Sequence, residues 1–327
     1  VTLTSKVSAL PRIVVVGCGD WGKNLVRAMA ALGALVGVAD KRRERARALA
    51  SQFNVPVLDV ADALADPSID GVVLAVPITG HAAAATAALE ASKHVFVEKP
   101  LADNAAQACQ LRDLAAARGR VLMAGHLLRY HDQFARLVDW VHAGELGTVQ
   151  RLEATRTAFG KLRGDEDVVL NLAPHDVSMI LALMATEPTA VTARGVAHTD
   201  PAQIDTADIE IDFASGARGI IHISRTHPLK QQRLVVIGTR GSAVFDDRLG
   251  WDEKLQLTRF DFDWADPPAW PKPTPVALDA LPVGEPLKNE CQHFLDCIQT
   301  GTTPISGPDE AIPVTRVLDQ IRAALYD

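Results

Sequence analysis

Ile13-Val14-Val15-Val16-Gly17-Cys18-Gly19-Asp20-Trp21-Gly22 is the stretch that decides the fold. Four consecutive β-branched residues closed by a glycine read as a short strand buried on both faces. Gly17, Gly19 and Gly22 then follow at G-x-G-x-x-G spacing, and helical periodicity starts inside the turn. In that context the first glycine permits the tight turn, the second lets backbone approach a pyrophosphate, and the third allows close helix packing. The helix N-terminus adds unpaired N–H groups for phosphate, and Asp20 and Trp21 lie in the same turn. Asp40 ends the next apolar run about twenty residues on, where an acid accepts from the adenosine ribose hydroxyls. Its charge repels a 2′-phosphate, which favours NAD. Lys41, Arg42 and Arg43 keep NADP open, since a basic residue there can hold that phosphate; alternatively they begin a solvated helix face.

Outward from this stretch, residues 1–126 alternate strand and helix patterns. Apolar runs at 13–16, 35–39, 55–57, 72–76, 95–97 and 121–124 are separated by helical patterns at 21–32, 42–53, 60–64, 81–91 and 105–118. This alternation predicts βαβ units and a doubly wound parallel sheet, a Rossmann domain. After a helix expected at 133–143, the rhythm changes to period two at 149–158, 190–197, 209–213, 217–224, 233–237 and 242–245. Alternating apolar and polar residues predict a largely antiparallel open sheet in a C-terminal α/β domain, 127–327. Residues 262–286 are rich in Pro, Trp and Asp and are expected as a surface excursion, followed by helices at 287–300 and 309–326.

The 327 residues suffice for two domains, with ordinary shares of hydrophobic (48%) and charged (22%) residues, so a folded globular protein is expected. A formal charge of −7 argues against a nucleic-acid or anionic-membrane surface, and no apolar run is long enough to span a bilayer. Four unpatterned cysteines fit a reducing compartment, and without a leader-like N-terminus the expectation is a cytoplasmic protein. Cys291, His293 and Cys297, at i, i+2 and i+6, do not share a helix face, so no metal site is expected.

Chemistry is expected at the end of the 95–97 run, where Glu98-Lys99-Pro100 projects into the crevice that binds ligands in open α/β sheets. Oxidising a secondary alcohol needs a hydride acceptor and a base that reaches the hydroxyl. Lysine titrates near ~10.4, burial or a neighbouring nicotinamide cation lowers that value, and contact with Glu98 raises it. The sequence leaves that balance open. His175 is the second candidate. Pro174 suits the first turn of a helix running to residue 183, where the positive end of the dipole would keep the imidazole neutral.

With these motifs in place, the chain resembles the Gfo/Idh/MocA family of NAD(P)-dependent oxidoreductases, which act mainly on sugars, inositols and nucleotide-sugars. Val76-Pro77-Ile78-Thr79-Gly80-His81 is similar to the family's cofactor-contacting loop, which puts Val76, Pro77 and His81 beside the cofactor with Glu98 and Lys99. Gly125-His126-Leu127-Leu128-Arg129-Tyr130 looks like its interdomain segment. Leu170-Asn171-Leu172-Ala173-Pro174-His175-Asp176 looks like its second catalytic segment. The resemblance implies Lys99 as acid/base and His175 as its partner. The family's Asp falls on Asn171, which carries no charge but can orient a hydroxyl, as a similar Asn does in members that oxidise nucleotide-linked sugar acids. Arg129, Arg156, Lys161 and Arg163 are the basic residues expected to supply a hold on a diphosphate or carboxylate, Lys161 and Arg163 first among them, and Asp176 is a further substrate candidate; His126 and His131 are divided between packing and substrate contact.

The expected substrate is a nucleotide-linked hexose or its uronic acid. Alternatives are a free polyol or inositol dehydrogenase, an NAD-dependent glycoside hydrolase, and a non-catalytic cofactor-binding sensor; retention of both Lys99 and His175 weighs against the last. The period-two sheet predicts a homo-oligomer, a dimer or tetramer.

Overall fold

Ile13, Val14 and Val15 are fully buried, as a strand covered on both faces demands, and they lie on an interior strand of a five-stranded parallel sheet. The computed structural model describes residues 10–160, 167–198, 200, 203–260, 262, 266 and 272–326. In chain order the first elements are β1 (Ile13–Val16), α1 (Gly22–Ala31), β2 (Leu35–Ala39), α2 (Arg43–Phe53) and α3 (Val60–Ala65). They continue with β3 (Gly71–Leu74), α4 (His81–Glu90), β4 (His94–Glu98), α5 (Ala105–Arg118) and β5 (Leu122–Gly125). The sheet order is β2-β1-β3-β4-β5, so the order reverses beside β1, and the glycine turn opens at that switch point. Residues 55–57, expected as a strand, make only an isolated bridge between Val57 and Val38.

The remaining chain supplies α6 (Asp132–His142), β6 (Val149–Phe159), α7 (Val168–Met184), β7 (Ala190–Val196), β8 (Thr206–Asp212) and β9 (Arg218–Ser224). It ends with β10 (Thr226–Gly238), β11 (Gly241–Asp246), β12 (Leu255–Arg259), β13 (Thr274–Val276), α8 (Pro286–Thr300) and α9 (Pro308–Tyr326). The second sheet runs β13-β12-β11-β10-β6-β9-β8-β7 and is antiparallel except for the parallel pair β6–β9. Part of the expected 262–286 excursion is therefore a sheet edge, with Thr274–Val276 paired to β12. Each buried Val, Leu or Ile on the inner face contributes about 1.5–3 kcal/mol; Leu152, Ile209, Ile221 and Leu234 are all fully buried there.

The chain divides into two units: residues through His126 with Glu285–Ile312, and Leu127–Gly284 with Pro313 onward. The division at 126/127 placed 285–312 in the second block. The structure corrects this, because α8 lays apolar residues against the first sheet, with Phe294 edge-on to Phe96 at 5.9 Å between centroids. Along α9 the burial changes hands: Ala311 and Ile312 belong to the first core, Val314, Val317 and Ile321 to the second.

Candidate active site

The glycine turn is built by collision arguments that differ at its three glycines. A Cβ on Gly17 (φ +99°) would lie 2.3 Å from the Ala75 carbonyl oxygen, and one on Gly22 would lie 1.9 Å from that of Gly17. These two glycines are required by the turn itself. A Cβ on Gly19 would meet nothing nearer than Arg45 Nη1 at 3.6 Å. A glycine without an internal steric reason fits close approach by an outside group, and the pyrophosphate is the group this turn accommodates. No side chain caps α1 and no acid lies in its first turn, so nothing negative competes with an anion at the helix end, although the Lys23 and Asn24 N–H groups donate to the Gly19 and Trp21 carbonyls within the turn.

Asp40 links this turn to β2. Its Oδ2 accepts the Cys18 N–H at 2.6 Å and its Oδ1 the Arg42 N–H at 2.7 Å, which fixes the carboxylate while each oxygen keeps a lone pair. Asp40, Lys41 and Arg43 line a cleft with Leu58, Asp59 and Val60 at the end of β2. These residues fit a nicotinamide dinucleotide: Gly17, Gly19 and Gly22 for the pyrophosphate, Asp40 for the ribose. Lys41, Arg42 and Arg43 are all exposed.

Glu98 and Lys99 close β4 at its carboxyl end. Trp21, exposed in the glycine turn, donates its indole N–H to Glu98 Oε1, and Oε2 accepts the Lys99 N–H at 3.2 Å. The lysine turn is thereby tied to the glycine turn within one unit. Burial is the main influence on the Glu98 carboxyl and pushes it up to about 7, against the opposing pull of Trp21, Lys99 and His126. Glu98 is thus a group that titrates near neutrality directly beside Lys99.

His81 is corrected from a cofactor contact to a clamp. It is 2% exposed, with Nδ1 2.8 Å from the Pro100 carbonyl and Nε2 2.9 Å from that of Val76. Its ring joins the loop after β3 to the loop after β4, and little of it remains for a ligand. Val76 is part-buried beside it and Pro77 is exposed. His126 is buried with Nδ1 2.5 Å from Glu310 Oε2. His131 caps α6 by accepting the Gln133 N–H and stacks on Trp251, a packing role.

In the second unit, α7 corrects the expected start of the helix. It begins at Val168, capped by Asp167, whose carboxylate accepts the Leu170 N–H at 2.9 Å, and Pro174 lies inside it. His175 therefore sits in mid-helix, away from the positive end of the dipole. Asn171 and His175, four residues apart, share one helix face and are both part-exposed. Asp176 is corrected as well: it is fully buried and holds Arg156 through two bonds of 2.7 and 3.0 Å, so it has no edge for a substrate. Arg129 is part-exposed on a short 3-10 turn, Leu127–Tyr130. Lys161 and Arg163 lie outside the described residues.

Two acids on the returning segment were missed, the fully buried Glu290 and the part-buried Glu310, which bonds His126 at the end of β5. The available signal was that Glu290 falls one turn before Phe294, on the apolar side of α8. No group of His, Cys, Asp and Glu among the described residues is arranged to hold a metal.

Residues 11–126 match the family model described as the oxidoreductase family, NAD-binding Rossmann fold, and residues 134–244 match the Gfo/Idh/MocA C-terminal domain. A UDP-N-acetylglucosamine 3-dehydrogenase of Acidithiobacillus ferrooxidans is 34% identical over 198 residues, 60% of this chain and 62% of that protein. A scyllo-inositol 2-dehydrogenase (NAD(+)) of Bacillus subtilis is 28% identical over 318 residues, 90% of this chain and 88% of that protein. The solved structure of UDP-N-acetylglucosamine 3-dehydrogenase GnnA from A. ferrooxidans superimposes with a TM-score of 0.82 at 26% identity, covering 96% and 97% of the two chains.

Proposed function

Since this chain belongs to the Gfo/Idh/MocA family of NAD-binding oxidoreductases, we propose that it reversibly oxidises a secondary hydroxyl of a sugar, most simply a nucleotide-linked hexose or its uronic acid. The observation that carries this reading is the bond between Trp21 and Glu98, which keeps a lysine turn at the mouth of a dinucleotide-binding turn. Bound NAD supplies the hydride acceptor. Lys99 takes the hydroxyl proton, and Glu98, titrating near 7, is poised to influence the charge on that lysine. His175 shares or relays the proton, and Asn171 orients the hydroxyl by hydrogen bonding.

Relatives acting on a nucleotide-sugar support the substrate class. A free inositol is the second reading, favoured by the inositol dehydrogenases among the relatives and by Asp176–Arg156, which removes one cation from the set that could hold a diphosphate. The test is a screen of UDP-, GDP- and dTDP-sugars against free sugars and inositols, read by the near-ultraviolet absorbance of reduced cofactor. Turnover with inositols and none with nucleotide-sugars would select the second reading. Lys99→Ala is expected to lower turnover by at least about 10²-fold while NAD affinity stays near normal by titration calorimetry. A variant that kept most of its activity would remove Lys99 as the base.

The same reading includes a homo-oligomer. Phe159 and Leu229, 77% and 63% exposed, project from paired strands of the second sheet, and light scattering on the purified protein tests for association. The four cysteines are unpaired, in keeping with a cytoplasmic enzyme. No helix among the described residues is long and apolar enough to cross a membrane.

A further inference from the structure

Glu290 is fully buried on α8, and neither of its carboxyl oxygens has a hydrogen-bond partner. An ionised carboxylate left so would cost several kcal/mol, so the group must hold a proton or gain a donor. Its placement follows from two periodicities. Phe294 stacks edge-on against Phe96, fixing α8 over β4. Glu290 is one helical turn before Phe294, and Glu98 is two residues beyond Phe96 on the same sheet face. The two acids therefore extend the Phe96–Phe294 contact in the direction of the active-site turn.

The charges around Glu290 agree with this placement. Burial raises its carboxyl well above the ordinary range, and Glu98 on β4 and Glu310 on α9 raise it further. From the end of β5, His126 Nδ1 bonds Glu310 Oε2, and the other ring nitrogen, Nε2, is buried with no partner. Lys99 lies beyond Glu98. Burial, and after it the carboxyls of Glu290, Glu98 and Glu285, pushes the Cys291 thiol up, and the Arg27–Glu285 pair at the helix entry is half exposed. No cation in this set reaches Glu290 within hydrogen-bond or ion-pair distance.

We propose that Glu290 is a positioning residue for the Glu98–Lys99 turn, a buried acid whose O–H is directed at the Glu98 carboxylate through one enclosed water. This deepens the dehydrogenase reading and rests on it for its functional meaning. Glu290 donates toward the ionised form of Glu98, as Trp21 does at Oε1, and so favours a charged Glu98 beside Lys99. Without that donor Glu98 keeps its proton to higher pH, and Lys99 loses the neighbouring negative charge over the working range.

The test uses the apoprotein first, so it stands apart from the identity of the substrate. Trp21 fluorescence reports Glu98 ionisation through their shared bond, with Trp21→Phe subtracting the other tryptophans and Glu98→Gln identifying the transition. Wild type is expected to titrate near 7 and Glu290→Gln, which retains an N–H donor, near the same point. Glu290→Leu is expected to move the transition up by roughly one unit, with the corresponding limb of the kcat/KM profile following it. A folded Glu290→Leu protein with an unmoved transition would overturn the proposal. Infrared spectroscopy of the wild type at pH 8 covers the case where that variant does not fold: a protonated-carboxyl band is expected and should vanish in Glu290→Gln. Its absence from the wild type would equally refute the role. Loss of activity in Lys99→Ala bears only on the base, and a failed sugar screen only on the substrate.

Discussion

Asp40 does two jobs with one carboxylate: it anchors the backbone of the glycine turn at Cys18 and presents negative charge to the ribose cleft. Lys41 and Arg43 stand beside it at the same cleft, so the choice between NAD and NADP rests on a balance of one acid against nearby cations. Asp40→Ser is expected to lower the ratio of kcat/KM for NAD over NADP by tenfold or more, measured with each cofactor at saturating sugar. The change removes repulsion of a 2′-phosphate and leaves the basic residues in place. His81 shows a limit of reading residues from sequence. Its position in a cofactor-contacting loop was visible, but whether the ring faced a ligand or two carbonyls depended on Pro100, nineteen residues away.

Helix α7 is the element in which sequence and structure part most clearly. Pro174 is a strong helix-start signal, and it hid the true start at Asp167, whose side chain caps Leu170 seven residues earlier. Asp167→Ala is expected to destabilise the protein by about 1 kcal/mol in urea unfolding, the usual effect of losing a cap. Arg156→Met should cost more, about 3–5 kcal/mol, because it strands the Asp176 carboxylate, while Arg156→Met with Asp176→Leu should recover most of the loss. The parallel strands were legible because burial on both faces leaves continuous apolar runs such as 13–16 and 95–97. Strand β12 was not, since Leu255 and Leu257 alone carry its alternation, and neither was the burial of Glu290, because acids on a terminal helix ordinarily face water.

For the molecule as a whole, the buried carboxyls set the direction of its response to pH. Folding raises Glu98 from 4.5 to about 7 and raises Glu290 further, so over that range the native state binds more protons than the unfolded chain. Their contribution to stability is therefore present at low pH and lost as pH rises through the folded values. His94, lowered by burial from 6.5 to about 4, acts in the opposite sense and offsets them below about 6.5. One histidine offsets only one of the two acids, so thermal melts are expected to show stability declining above about pH 5 and more steeply above about 6, with Glu290→Gln flattening the decline. The return of Glu285–Ile312 to the first unit has a consequence for biosynthesis. When His126 leaves the ribosome, the surface that receives α8 is still uncovered, and about 160 further residues must be translated, taking roughly 10–30 s at ordinary elongation rates. During that interval Phe96 lacks its aromatic partner, so the nascent Rossmann unit keeps an apolar surface uncovered until nearly the last helix has emerged.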